Sequence, residues 1–296
     1  MDNIELNARI DARIDAKLYQ AFLDRTVLPP LLPTKRESDP FMDYSTCTAD
    51  DFTHPRFYAI AKLLGVQPVW HRKLWEWVFI CHHILDFIHE GYRGLGFGVG
   101  TESLPALFAS FGANILATDA PDDKGQWSNG NQWSGNLHKL RAPHIIADAL
   151  FDERLSYRPC DMTNIASDLT GFDFTWSSCA FEHLGDLDAG LRFVENSLNT
   201  LRPGGIAVHT TEFNLSSDTD TVDRGGTVLY RKKDIDDLSE RLRDQGHLVR
   251  PFVIGPFSNF LDHHVDVAPF TGSPHLKLRL AGYVTTSAGI VVKAKE

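Results

Sequence analysis

The segment Gly94-Leu-Gly-Phe-Gly-Val-Gly-Thr-Glu102 constrains the fold more than any other part of this chain. It follows an apolar run that reads as a strand over 92–97, and it opens onto a helical pattern over 101–111. Glycines at Gly96, Gly98 and Gly100 permit a tight turn and let a ligand lie directly against the backbone, because no Cβ intervenes. A dinucleotide fold uses the spacing GxGxxG and sets a pyrophosphate over the helix N-terminus. Here the spacing is GxGxG, followed by Thr101 and Glu102. An acid beside a pyrophosphate is repelled. A cofactor with a cationic sulfonium and an amino-acid tail fits the loop better.

From Gly91 onward strands and helices alternate. Strands are expected at 92–97, 113–118, 156–160, 172–178 and 205–211, with later ones near 248–254 and 283–294. Helices are expected at 101–111, 140–151, 187–201 and 232–245. This order implies a mostly parallel sheet with helices on both faces and right-handed crossovers. Upstream, 4–24 reads as an amphipathic helix on Ile4, Ile10, Ile14, Leu18 and Phe22. The proline-rich run Val27–Pro33 breaks it, and 55–66 and 68–89 read as two further helices. The expected division is a helical N-terminal cap over 1–90 and a cofactor-binding domain over 91–296, with inserted loops at 120–139 and 255–281. Loops of this length are usually functional or disordered. Their aromatics Trp127, Trp133, Phe257, Phe260 and Phe270 argue against disorder.

Charge and cysteine usage narrow the function classes. The formal net charge is -10 and no Lys/Arg-rich run occurs, which argues against a nucleic-acid partner. Cys47, Cys81, Cys160 and Cys179 show no CxxC or CxxH spacing, so reduced thiols and a cytoplasmic location are expected. The start Met-Asp-Asn-Ile-Glu has no apolar core of a signal peptide, and no apolar stretch is long enough to span a bilayer.

The second strand ends in Asp119, and an acid at that position can accept hydrogen bonds from both ribose hydroxyls of a nucleotide. With this acid in place, the chain resembles the class I S-adenosylmethionine-dependent methyltransferases over roughly residues 91–213. The resemblance continues through Arg158-Pro-Cys-Asp161-Met162, through Gly171 to Leu184, and through Leu201-Arg-Pro-Gly-Gly205. It implies a Rossmann-like, seven-stranded, mostly parallel sheet with the last strand antiparallel. It further implies S-adenosylmethionine across Gly96, Gly98 and Gly100, with Asp119 and Ala120 at the ribose. Asp161 would hold the adenine amino group, Met162 would pack on the ring, and Ser178 would face the methionine part. One departure stands out. The family usually has Asp or Glu two residues before the first glycine of the loop, and this chain has Gly94 there. Glu102 or a backbone carbonyl is the expected substitute.

Methyl transfer is an in-line displacement, so the enzyme must mainly align the acceptor and remove its proton. A hydroxyl acceptor calls for a base or a metal. His183 follows the fourth strand, and His209 and Glu212 lie near the end of the fifth, at the sheet edge where ligands bind in such folds. The three are expected to converge on the acceptor, one histidine as base and Glu212 orienting it or the acceptor. The alternative for each histidine is a hydrogen-bonded structural role. Asp262-His-His-Val-Asp266 with His275 matches no metal motif and reads as a polar lid, so no metal is assigned. The aromatic stretch Pro68–Trp77 reads as core packing, with stacking on a flat acceptor as a second use. The expected function is methyl transfer to a small-molecule or carbohydrate acceptor, at a hydroxyl. An NAD-dependent oxidoreductase is the alternative that the glycine spacing disfavours, and a non-catalytic cofactor-binding scaffold is the third reading. Homo-oligomerisation is left open.

Overall fold

The computed structural model describes residues 13, 14, 17, 31–121 and 135–296. Of the helix expected over 4–24 only residues 13, 14 and 17 are described, and the tryptophans of the 120–139 loop fall outside the described residues. In chain order the elements are α1 (Pro55–Leu63), α2 (Arg72–Ile84), β1 (Arg93–Phe97), α3 (Leu104–Ser110), β2 (Asn114–Asp119), α4 (Asp148–Arg154) and β3 (Leu155–Pro159). They continue with β4 (Phe172–Ser178), β5 (Gly185–Asp186), α5 (Leu187–Ser197), β6 (Leu201–Asn214), β7 (Arg224–Gly225), α6 (Lys232–Asp244) and β8 (Leu248–Val249). The last are α7 (Phe260–His263), β9 (Val265–Asp266), β10 (Lys277–Leu280) and β11 (Tyr283–Lys293).

The main sheet runs β3-β2-β1-β4-β6-β11-β10-β9, with β8 also on β11. The first five are parallel, and β11 is antiparallel to β6 along nine register pairs. This is a Rossmann-like α/β fold. Strand order reverses between β1 and β4, which opens a crevice at their carboxyl ends, the usual ligand position in such sheets. The expected sheet had seven strands. The observed one has nine, because the outer edge of β11 is covered piecemeal. β8 stops after two residues, since Pro251 has no N–H for a ladder. β10 covers the other end of β11. Between them the extended chain at Ser45–Cys47 fits in, with Cys47 N donating to Ser287 O (2.9 Å) and Gly289 N to Ser45 O (2.7 Å).

Two apolar cores flank the sheet. One contains Leu95, Phe97, Phe181, Phe193, Leu238 and Val292. The other joins Phe52, Phe57, Trp75 and Phe79 from the N-terminal region to Phe108, Phe174, Trp176 and Val208. Residues 31–90 thus share a core with the sheet. They form one of its covering layers, where the sequence suggested a cap at one end. The reason lies in α2, whose apolar side chains Leu74, Trp75, Val78, Phe79, Cys81 and Ile84 are all buried. That helix packs on β4, β6 and β11. Its N-terminus is held by His71, whose Nδ1 accepts from Lys73 N (3.1 Å), a cap worth roughly 1 kcal/mol. Loop 255–281 is likewise built into the sheet, through α7, β9 and β10. Among the described residues no helix is long and apolar enough to cross a membrane.

Candidate active site

A cavity of about 610 Å³ occupies the crevice at the carboxyl ends of β1, β2 and β4. Gly98, Gly100, Glu102, Asp119, Ala120, Asp161, Met162, Ser178 and His183 all line it, and Lys73 and Trp77 of α2 complete one wall. Nine of the twelve residues singled out from sequence therefore meet at one place.

The loop after β1 turns through left-handed backbone at Gly98 (φ +56°) and Gly100 (φ +52°), conformations that side-chain-bearing residues rarely adopt. Asp119, at the end of β2, accepts from Gly100 N (3.1 Å) and from Ala120 N (2.8 Å), so the same carboxylate orders the loop and faces the cavity. Asp161 accepts from Thr163 N (2.9 Å) and from its hydroxyl (2.6 Å). Gly94 explains the missing acid. A Cβ there would lie 2.4 Å from the Phe174 ring and 2.8 Å from Ile115, so β1 has no room for one. Glu102, just beyond the loop, carries a carboxyl into the cavity instead. Burial pushes that carboxyl up to about 8, against hydrogen bonds from Ser178 and Trp77 and the charge of Lys73. Its Oε2 is buried without a hydrogen-bond partner.

His183 follows β4 in a short helical turn, Phe181–His183. Its Nδ1 is 2.8 Å from the carbonyl of Gly226, beside the β5–β7 ribbon. A carbonyl only accepts, so Nδ1 carries the proton and the lone pair falls on Nε2. That is the tautomer a general base needs.

Gly96, His209 and Glu212 do not line the cavity. Gly96 lies inside β1, where a Cβ would be 2.5 Å from Trp176 and from Val99, so it serves close packing. His209 is fully buried, with Nδ1 2.8 Å from Ser177 Oγ and Nε2 3.0 Å from Ser197 Oγ. Both ring nitrogens are occupied, Phe181 and Phe193 pack round the ring, and burial depresses it to about 3. It is a neutral core residue of the α5 face, not an acceptor-facing base. Glu212 is on the opposite face of β6, buried and ion-paired with Arg72. The expected lid is also different. Asp262 is buried and accepts from Ala49 N (2.8 Å) and Lys277 Nζ (3.1 Å), while His275 Nδ1 meets Asp266 at 2.5 Å and its ring stacks on His71 at 4.7 Å.

One constellation had no counterpart in the sequence reading. Glu76 of α2 is fully buried behind Ser178. It accepts from Ser178 (3.2 Å), Thr210 (3.2 Å), Cys179 (3.1 Å) and Ser287, and pairs with Arg72 (3.2 Å) and Lys73 (3.4 Å). Burial works against its ionisation, but Lys73, Arg72 and the hydroxyl and thiol donors outweigh it and hold the carboxyl below its ordinary range. Cys179, which ends this wall, has φ +43°, a strained conformation for a non-glycine residue.

No protein-family model matches the chain, and no curated protein matches it. Solved structures do resemble it in outline. Magnesium protoporphyrin IX methyltransferase from Synechocystis with bound S-adenosylhomocysteine is 10% identical, with a TM-score of 0.44 over 73% of this chain and 78% of that one. Phosphoethanolamine N-methyltransferase 2 from Haemonchus contortus, in complex with S-adenosylmethionine, is 16% identical, with a TM-score of 0.48 over 81% of this chain and 57% of that one. The 1,6-didemethyltoxoflavin N1-methyltransferase of Burkholderia thailandensis is 14% identical, with a TM-score of 0.42 over 73% and 76% of the respective chains.

Proposed function

We propose that this protein is an enzyme that transfers the methyl group of S-adenosylmethionine to a small-molecule or carbohydrate hydroxyl. The observation that carries the reading is the meeting of a left-handed glycine loop, two strand-end acids and a buried carboxyl at the point where strand order reverses. Gly98 and Gly100 offer bare backbone to the cofactor. Asp119, with Ala120 beside it, accepts from the ribose hydroxyls, and Asp161 and Met162 take the adenine. Glu102 and Ser178 face the methionine end, where Glu102 supplies the carboxyl that Gly94 cannot carry; burial favours its protonated form, and the cofactor's cationic end beside it would draw it into the ionised one. A buried carboxyl that a neighbouring cation would ionise suits a cationic cofactor and gains nothing from a pyrophosphate, which favours this reading over a nicotinamide dinucleotide.

His183 then takes the acceptor proton. Its position on the cavity wall and its Nδ1–H contact to Gly226 support that role. The sulfonium is already a good leaving group, so alignment and this proton transfer are what the protein must provide. A reducing cytoplasm suits the four buried thiols.

Calorimetric titration with S-adenosylhomocysteine and with NAD tests the reading. Micromolar binding of the first and no heat from the second is the expected result. The reverse preference would replace the methyltransferase by an oxidoreductase. Turnover against a panel of hydroxylated acceptors then separates an enzyme from a cofactor-binding scaffold.

A further inference from the structure

Behind the acceptor end of the cavity, Cys179, Glu182 and Glu212 each present one ligand atom, and these atoms all lie within 4.8 Å of one another. Cys179 directly follows β4, Glu182 sits in the turn after it, and Glu212 is on the neighbouring strand β6. All three are buried. Each carboxylate is anchored by one oxygen and leaves the other without a hydrogen bond. Glu182 Oε2 accepts from the Thr211 hydroxyl (3.1 Å), while its Oε1 accepts no hydrogen bond and lies 4.0 Å from His183 Nε2. Glu212 Oε1 pairs with Arg72, while its Oε2 has no partner. Leaving a buried acceptor unsatisfied costs about 1–3 kcal/mol, and more for a charged one, so two in one cluster call for a cation.

The charges agree. Glu76 is matched by Lys73. That leaves two carboxylates against the single guanidinium of Arg72, with the Cys179 thiol donating to Glu76 (3.1 Å) and lying 3.8 Å from Arg72. A divalent ion that displaces the thiol proton to solvent brings three anionic ligands, one guanidinium and itself to neutrality. Glu76 would lose one donor and keep Ser178, Thr210 and Ser287.

We infer that Cys179, Glu182 and Glu212 bind one divalent transition-metal ion of the zinc type. One thiolate with two carboxylates is a borderline-soft donor set, suited to Zn²⁺ and poorly suited to Mg²⁺ or Ca²⁺. Tetrahedral zinc sets its ligand atoms roughly 3.3–3.8 Å apart, so the cluster must contract by about an ångström. Cys179 also lines the cavity, so a fourth ligand from solvent would have to arrive on that side. This site goes beyond the methyl-transfer reading and does not depend on it.

The test uses the full-length protein, stripped with a chelator and titrated with Co²⁺ in the absence of any cofactor. A thiolate ligand gives a sulfur-to-cobalt charge-transfer band in the near ultraviolet. The expected result is that band, saturating at one ion per chain and displaced by Zn²⁺. Cys179→Ser should abolish it and Cys160→Ser should leave it. Glu182→Gln should weaken the metal at least about 100-fold, since even outer-shell partners cost about 10–100-fold. A folded wild-type protein that shows no such band, or a band that survives Cys179→Ser, overturns the site. None of these readouts involves S-adenosylhomocysteine, so either proposal can fail without the other.

Discussion

The two sides of the cavity are held together over very different distances along the chain. On the β1–β2–β3 side the polar contacts are local. Asp119 binds Gly100 and Ala120, and Asp161 binds Thr163. On the β4–β6 side a single carboxyl, Glu76, gathers Ser178, Thr210 and Ser287 from three strands, more than 100 positions away in sequence. The first side can rearrange one loop at a time. On the second, the N-terminal helix, the strand ends and the last strand are committed together. The cofactor side should therefore tolerate substitution with losses confined to binding, whereas the acceptor side should lose stability as a unit.

The sharpest test of that contrast is Glu76→Ala. It removes the carboxylate that Arg72 and Lys73 share, leaves Arg72 with Glu212 alone and orphans the hydroxyl donors, and breaking a buried pair such as Arg72–Glu76 costs about 3–5 kcal/mol. Urea denaturation should show the loss. A midpoint within error of wild type would mean that the wall is not a unit.

His183→Ala separates chemistry from stability on the same side. Turnover should fall by about 10²–10⁴ with affinity for S-adenosylhomocysteine nearly unchanged. His209→Ala should behave oppositely, lowering the melting temperature by opening the α5 core while the residual folded enzyme keeps its specific turnover. If His209→Ala instead behaves like His183→Ala, the assignment of the two histidines is reversed.

On the cofactor side, Asp119→Ala should weaken S-adenosylhomocysteine by about 1.5–3 kcal/mol, as for loss of a charge-assisted hydrogen bond, and change stability little. Equal affinity would remove Asp119 from the ribose.

A pH dependence is expected at Glu102, whose carboxyl is raised from 4.5 to about 8 by burial, against Ser178, Trp77 and Lys73 and with the like charge of Glu76 nearby. The folded protein then holds a proton that the unfolded chain has lost. Its contribution to stability is complete below about pH 4.5 and is lost as pH rises toward 8. Melting curves across that window should decline less steeply for Glu102→Gln than for wild type. Parallel curves would show that Glu102 ionises normally.

Much of this is legible in the sequence. Glycine spacing, the strand ending in Asp119 and the alternation from Gly91 onward all act over short stretches, where sequence and backbone geometry are nearly the same thing. One misplacement was avoidable. His209 and Glu212 stand three positions apart on one strand, an odd offset, and successive side chains of a strand point to opposite faces. They could not both border the acceptor, and the structure sends His209 to the α5 core and Glu212 toward α2. The short β8 could also have been read from Pro251.

What the chain determined by itself was the periodicity of its elements and the local chemistry of its loops: where backbone could turn, and which acids stood at strand ends. Only the tertiary structure decided that α2 belongs to the sheet, that Gly94 has no room for a side chain, and that Glu76, Cys179, Glu182 and Glu212 share one buried wall. The reason is physical. Local propensity falls off within a few residues, whereas the wall depends on which distant segments can exclude water together, and that depends on how the whole sheet is covered.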